Sequence, residues 1–398
     1  MTAAPLAAVL LLPLLAAHTS VLNLYERTEV RVRSPGDGLD VEQSAGANVE
    51  MLSPRTRFNF GYAPYFTVTD LAHDPTLDLL NTAEVGSEFT WRRVRLTLGE
   101  RAAYGTRSFT SLTPTTYDIV VDANSTHIVP LATSVRYGSS ETSATLGFEL
   151  SRRTGLQLSG AYAIGGGLDD RARRVIPLVW GPRGSAGLRY QLAPLDALTT
   201  QIQAESLYTD TGSRGQKPRA DVASGLEFWD RQWAPRTTTE LGAGAAFAER
   251  NPAFEDPRFF PIGVASLRQL FPTGSGQEAL DVQGRGQVDV QIDRLTGNPD
   301  HRLNLLLQSN WAREPYGIHA EIGRGQSLRS SEANALTQYN GEIIFRYQWT
   351  RPLLVETGYR AAYQTIDAPT TSAASLAASG LNWVAFVALR ASAEPIQF

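Results

Sequence analysis

Between Asp281 and Asp293 the chain alternates without a break. Asp281, Gln283, Arg285, Gln287, Asp289, Gln291 and Asp293 share one parity, while Val282, Gly284, Gly286, Val288, Val290 and Ile292 share the other. Successive side chains of a β-strand point to opposite faces, so this stretch is a strand with one polar and one apolar face, and its period of two excludes a helix. Runs of this kind, each about ten residues long, recur along nearly the whole sequence, as at 22–33, 39–51 and 94–104. So long a series predicts an all-β chain, a transmembrane antiparallel up-and-down β-barrel of about 18 strands, with 16 as the alternative count.

The periodicity holds over 398 residues, which argues for one large unit instead of the two or three domains that length alone suggests. Charged residues make up 19% and the mean hydropathy is −0.20, too polar for a bundle of membrane helices. A barrel has this composition because only alternate strand residues meet lipid. A net charge of −4 argues against a nucleic-acid binder, which would normally carry a basic face. Cysteine is absent, which removes disulfides and thiolate metal sites. Residues 1–17 carry an apolar run, Leu6 to Leu15, followed by Ala16 and Ala17. This predicts a secretory signal cleaved after Ala17, with the barrel occupying residues 18–398. The run is shorter than the roughly 20 residues a membrane-spanning helix needs.

The connections alternate in length. Ser53–Arg55, Arg92–Arg93, Ser151–Thr154, Ala193–Asp196 and Thr350–Pro352 are short, whereas Arg107–Thr126, Gly165–Arg174, Asp210–Ala220 and Arg250–Pro261 are long. Short turns at one end and long loops at the other suit a barrel with its turns in the periplasm and its loops outside. Leu131 to Leu150 reads as one long strand or two short ones, and Ile262 to Leu270 as a brief one. Pro130, Pro177 and Pro261 each close a long loop and open a strand, a position proline tolerates because it lacks an N–H.

Aromatics gather near the strand ends on the apolar parity: Trp91, Tyr104, Tyr208, Phe228, Trp311, Trp349, Tyr363 and Trp383. That distribution matches the two interfacial girdles of a membrane barrel and puts the apolar parity toward lipid. The polar parity then faces the lumen. Arg93, Arg95, Arg101 and Arg107 form a ladder on one strand, facing Asp78, Glu84 and Glu88 on its neighbour. Arg27, Arg31 and Arg33 face Asp40, Glu42 and Glu50 in the same way, and Arg285 and Asp289 lie on the polar face of 281–293. Opposite charges across a ladder stabilise each other by roughly 0.2–1 kcal/mol per pair. The inward charges can therefore be lumen structure, a lining that guides a solute, or both.

No catalytic or metal constellation stands out. His73, His127, His301 and His319 lack ligand spacing, and no cofactor motif is present. Gly165–Gly167 reads as a flexible loop, and Asp169–Arg174 as a charged loop tip that lipopolysaccharide or solvent would meet. The terminal Phe398 is similar to the recognition feature of barrel assembly machinery.

With strands and loops assigned, the chain resembles the porin-like outer-membrane barrels of about 18 strands in myxobacterial exopolysaccharide export systems. The likeness rests on the Pro-led strands at Pro130, Pro177 and Pro261, on the phrase from Leu192 to Thr199, and on the loop Asp293–Gly297. It implies a non-enzymatic channel in the cell outer membrane through which a polysaccharide leaves. It also implies contact with outer-membrane lipid, and with a separate periplasmic polysaccharide-export protein, since no helical repeat domain is fused here. A passive diffusion porin or a structural barrel is the alternative, with a barrel-rim hydrolase behind both. TonB-dependent import is not expected, because no plug domain precedes the first strand.

Overall fold

The computed structural model describes residues 19–34, 38–73, 75–107, 134–212, 217–251, 258–273, 278–293, 297–328, 335–367 and 380–397. The expected signal segment, Pro130, His127 and Phe398 lie outside them. The strands run in chain order as β1 Thr19–Ser34, β2 Gly38–Ser53, β3 Thr56–Thr69, β4 Thr76–Thr90, β5 Val94–Arg107, β6 Val135–Glu149 and β7 Thr154–Gly167. A short helix, α1 Asp170–Val175, precedes β8 Leu178–Ala193, β9 Asp196–Asp210, β10 Arg219–Ala234, β11 Thr237–Asn251, β12 Arg258–Thr273 and β13 Glu278–Asp293. Then come β14 Asn298–Arg313, β15 Tyr316–Ser327, β16 Ala335–Thr350, β17 Leu353–Asp367, β18 Gly380–Ser392 and the two-residue β19 Ile396–Gln397.

Each strand pairs antiparallel with the next, and β1 pairs with β18 from Tyr25↔Ser392 to Ser34↔Trp383, which closes the sheet. β19 continues the line of β18 onto Val21 and Leu22. The break between the two falls at Pro395, which has no N–H to offer the ladder. The barrel thus has 18 positions. Closure leaves no edge strand, the one arrangement of strands that a hydrocarbon layer tolerates.

The connections at one end span two to four residues; at the other they reach the length of 108–134. At the short-turn end a glutamine recurs just before three turns, at Gln191, Gln232 and Gln348, each where the ladder slips by one residue. Gln191 and Gln348 donate from Nε2 to carbonyls of their own turns, at 2.6 Å from Ala193 and Thr350 respectively. These bonds reach across the skipped residue, Leu192 or Trp349, and tie the strand to the carbonyl at the start of its turn.

Several boundaries differ from the sequence expectation. Among the described residues of 131–150 there is one strand, β6, and the brief strand at 262–270 is in fact the 16-residue β12. Gly165–Gly167 closes β7, and the charged tip after it is helical, its first turn capped by Asp169, which accepts from the Ala172 N–H at 2.9 Å. Pro177 immediately precedes β8 as expected, but Pro261 lies inside β12. It is tolerated there because the β12–β13 ladder ends at Gly263↔Val288. The Pro261 carbonyl faces that gap and accepts from His301 Nε2 at 2.9 Å, so the missing N–H would have pointed into the same gap.

Exposure shows which parity faces out. Val30, Phe60, Tyr62, Leu188, Ile202, Leu305, Leu307 and Val387 are large, apolar and exposed on the outer surface, while Glu29, Arg31, Asp40 and Arg302 are buried on the inner one. Leu305, 42% exposed, sits at the middle of β14, and Gln287 lies inward at the middle of β13. Leu305→Arg should therefore cost roughly 2–4 kcal/mol of barrel stability if it lies near the bilayer midplane, and Gln287→Arg close to nothing. The fraction of heat-modifiable barrel on a gel reports this, and equal losses from both substitutions would contradict the assignment of faces.

Candidate functional site

Alternation along β4 and β5 brings the expected charges together on the inner face. Arg95 Nη2 meets Glu88 Oε2 at 2.7 Å, and Arg101 Nε lies 3.8 Å from Glu84 Oε2. Both guanidinium groups remain about two-thirds exposed, so the pairs are wet and available to a solute. Arg107 instead lies over the Tyr137 ring, 5.6 Å from its centroid. Asp78 is buried and accepts from Ser134 Oγ instead of an arginine. Arg93 does not belong to the ladder, because β5 begins at Val94 and Arg93 stands in the turn before it.

β1 and β2 carry a denser version. Arg31, Glu29 and Asp40 are almost fully buried; Arg31 pairs with Glu42 and lies 3.6 Å from Glu29, and Arg33 Nε meets Asp40 at 3.0 Å. Glu50 stands apart from this group. The β1–β2 register sets it opposite Val21, and it pairs with Arg57 of β3 at 3.0 Å. Across the barrel, Asp289 accepts from Gln287 and Gln291 at 2.9 Å each, and Arg285 Nη2 reaches Glu240 at 4.0 Å.

Above Gly263 the wall changes character. The β11–β12 ladder continues to Ala248↔Arg258 and the β13–β14 ladder to Asp293↔Asn298, yet β12 and β13 no longer pair. The freed end of the β13–β14 hairpin touches β10 and β11, strands with which it has no ladder. A Cβ placed on Gly297 would lie 2.8 Å from Thr209 Oγ1 on β9, and Thr209 is wholly buried. Val290 and Ile292 are the apolar parity of β13, yet they are buried against Val179, Leu207, Val222, Ala246, Phe260 and Ile262. The hairpin end therefore leans inward over the inner wall of β8–β12 at the long-loop end.

This explains why β10 and β12 carry apolar side chains inside as well as out. Phe228, expected in the outer girdle, is one of them: its register opposite Gly242 turns it inward, and a Cβ on Gly242 would meet its ring at 2.8 Å. A fully buried Val or Ile side chain stabilises by roughly 1.5–3 kcal/mol, so Val290 and Ile292 anchor the hairpin by a few kcal/mol. The remaining girdle residues lie outside, where Trp180 stacks on Tyr208 with centroids 5.7 Å apart and Tyr359 on Trp383 at 6.0 Å.

At the short-turn end, the inner wall between β4 and β9 holds a recess of about 750 Å³. Glu88, Arg93, Arg95, Glu149, Gln157, Arg189, Thr199 and Gln201 line it together with Gly147, Gly155 and Gly187. Of the candidates read from sequence, Glu88, Arg93 and Arg95 meet here, and Glu84 and Arg101 stand on the same two strands nearer the middle. Arg285 and Asp289 lie on another wall. The sequence does not single out Glu149 and Arg189, because they are set near Arg95 by the registers Arg95↔Gly147, Glu149↔Gly155 and Gly155↔Arg189, which alternation alone does not give.

A closed, charge-paired lumen within an apolar outer belt and two aromatic girdles defines a β-barrel of the outer-membrane type. Residues 115–390, well over half of the chain, match the family described as the EpsX exopolysaccharide export family, and the chain belongs to that family. The sequence matches no curated protein. Among solved structures, the FrpB iron transporter from Neisseria meningitidis in its apoprotein form shares the fold at 9% identity and a TM-score of 0.54. The match covers 87% of this chain and 62% of the transporter, so the chain spans under two thirds of that protein's length. OpdK from Pseudomonas aeruginosa, solved with vanillate, aligns at 10% identity over 95% of this chain and 99% of its own, with a TM-score of 0.49.

Proposed function

We propose that this protein is an outer-membrane channel through which an exopolysaccharide leaves the cell, with its short turns in the periplasm and its long loops outside. Membership of the exopolysaccharide export family carries this reading, and the closed barrel gives it a physical route. The inner wall suits a polyhydroxylated chain. Half-exposed pairs such as Arg95–Glu88 and Arg101–Glu84 offer fixed donors and acceptors to sugar hydroxyls. Because each charge is already held by its partner, a passing sugar need not be gripped tightly, as conduction requires.

The barrel acts as a conduit, without covalent chemistry of its own. A separate periplasmic export protein delivers the polymer to the short-turn end. A clean deletion in the native host tests the reading. Surface and secreted polysaccharide should fall to background and return on complementation, whereas unchanged output would leave a passive diffusion pore as the better account.

A further inference from the structure

The recess at the short-turn end bears on which polysaccharide is carried, an inference that rests on the export reading. Its rim and walls hold four arginines, Arg92, Arg93, Arg95 and Arg189, against two carboxylates, Glu88 and Glu149, a local excess of two positive charges (4 − 2) in a chain whose net charge is −4. Glu88 is already engaged by Arg95. Arg92, Arg93 and Arg189 enter no ion pair among the described residues, and Arg152 and Arg153 stand exposed in the next turn along the same rim.

The floor is unusual as well. Gly147, Gly155 and Gly187 lack a positive φ, and a Cβ on any of them would meet no atom nearer than 3.8 Å. Neither backbone nor packing requires glycine at these positions, so what the missing side chains leave is room. A space of about 750 Å³ accommodates a short run of sugar rings.

We propose that this recess is an entry subsite for an acidic glycan, in which Arg92, Arg93 and Arg189 bind the carboxylates of successive sugars while the glycine floor takes their rings. A guanidinium donates two parallel N–H bonds to a carboxylate and stays charged at any working pH. Unpaired arginines at a channel mouth also raise the local concentration of a polyanion, an effect that weakens with salt.

The test uses the full chain in planar bilayers, with an oligogalacturonate or an uncharged malto-oligosaccharide of equal length added on the short-turn side. The oligogalacturonate should block ion current at a concentration lower by about tenfold or more, and the gap should narrow at high salt. Joint Arg92→Gln, Arg93→Gln and Arg189→Gln should bring it to the level of the neutral oligomer, while lysine at the same three positions should retain most of the difference. Heat-modifiability confirms that each variant is a folded barrel. Equal block by both oligomers in the wild-type channel would overturn acidic selection and leave export standing. If neither oligomer alters the current of a conducting channel, the export reading fails and this subsite with it.

Discussion

Arg31→Met should destabilise the barrel by about 3–5 kcal/mol, seen as a lower urea midpoint in detergent micelles and a smaller heat-modifiable fraction. Arg31 has 1% of its side chain exposed and stands among Glu29, Glu42 and Asp40. Removing the guanidinium strands Glu42 and leaves Glu29 with Arg27 alone, at 2.5 Å, and the poorly compensated buried charge is the source of the loss. Adding Glu42→Gln to Arg31→Met should recover most of it, because a neutral amide replaces the stranded carboxylate while Arg27 continues to hold Glu29. Arg95→Gln should leave stability nearly unchanged, since its pair with Glu88 is open to water. A loss from Arg95→Gln as large as that from Arg31→Met would contradict the distinction between a buried structural cluster and an accessible lining.

The two arginines look alike in the sequence. Both sit on the polar parity of a strand with carboxylates opposite, and alternation identified their face. It could not tell which part of the lumen is packed and which is open, because that depends on side chains brought in from distant strands. The strand count was legible because lipid imposes the same alternation on every strand. Ends were less so: Pro261 signals a strand start by rule, but it lies inside β12 where the ladder to β13 has already parted. The inward lean of β13–β14 left no mark in the pattern. Val290 and Ile292 continue the parity of Val282 and Val288 unbroken, so a strand that bends into the lumen reads like one that stays in the wall. The trace is the apolar inner face of β10 and β12, Val222, Phe228, Ile262 and Val264, of which Phe228 reads from sequence as girdle and Ile262 as a strand start. Arg93 shares the parity of Arg95 and Arg101 and so reads as part of their ladder, but the reversal from β4 ends after it and β5 begins at Val94.

Stapling the inward hairpin should close the channel. A Cβ on residue 297 would lie 3.1 Å from the Thr209 Cβ, slightly inside the roughly 3.5–4.5 Å of a disulfide, so Thr209→Cys with Gly297→Cys can bridge after a small shift. Gly297 has a φ of 70°, and any side chain there costs about 1–2 kcal/mol, a strain the bridge must hold. The chain has no native cysteine, so no other disulfide can form within it. In planar bilayers the oxidised pair should be confined to the smallest conductance level, and a reductant should restore larger openings. Ile292→Asp should do the opposite, because a carboxylate cannot remain against Phe260 and Ile262 without a partner, and the hairpin should leave the wall. Identical conductance in the oxidised, reduced and Ile292→Asp channels would mean that the hairpin does not govern the mouth.

The same staple tests the central claim, that the polysaccharide leaves through this lumen. A deletion strain complemented with the Thr209→Cys and Gly297→Cys barrel is grown under oxidising conditions, and its surface polysaccharide is measured before and after a membrane-permeant reductant. The account predicts output near that of the deletion strain while the bridge is formed, and output near wild type once it is reduced. Full output from a barrel whose bridge is intact on a non-reducing gel and whose bridged form is closed to ions in planar bilayers would show that the polymer takes another path.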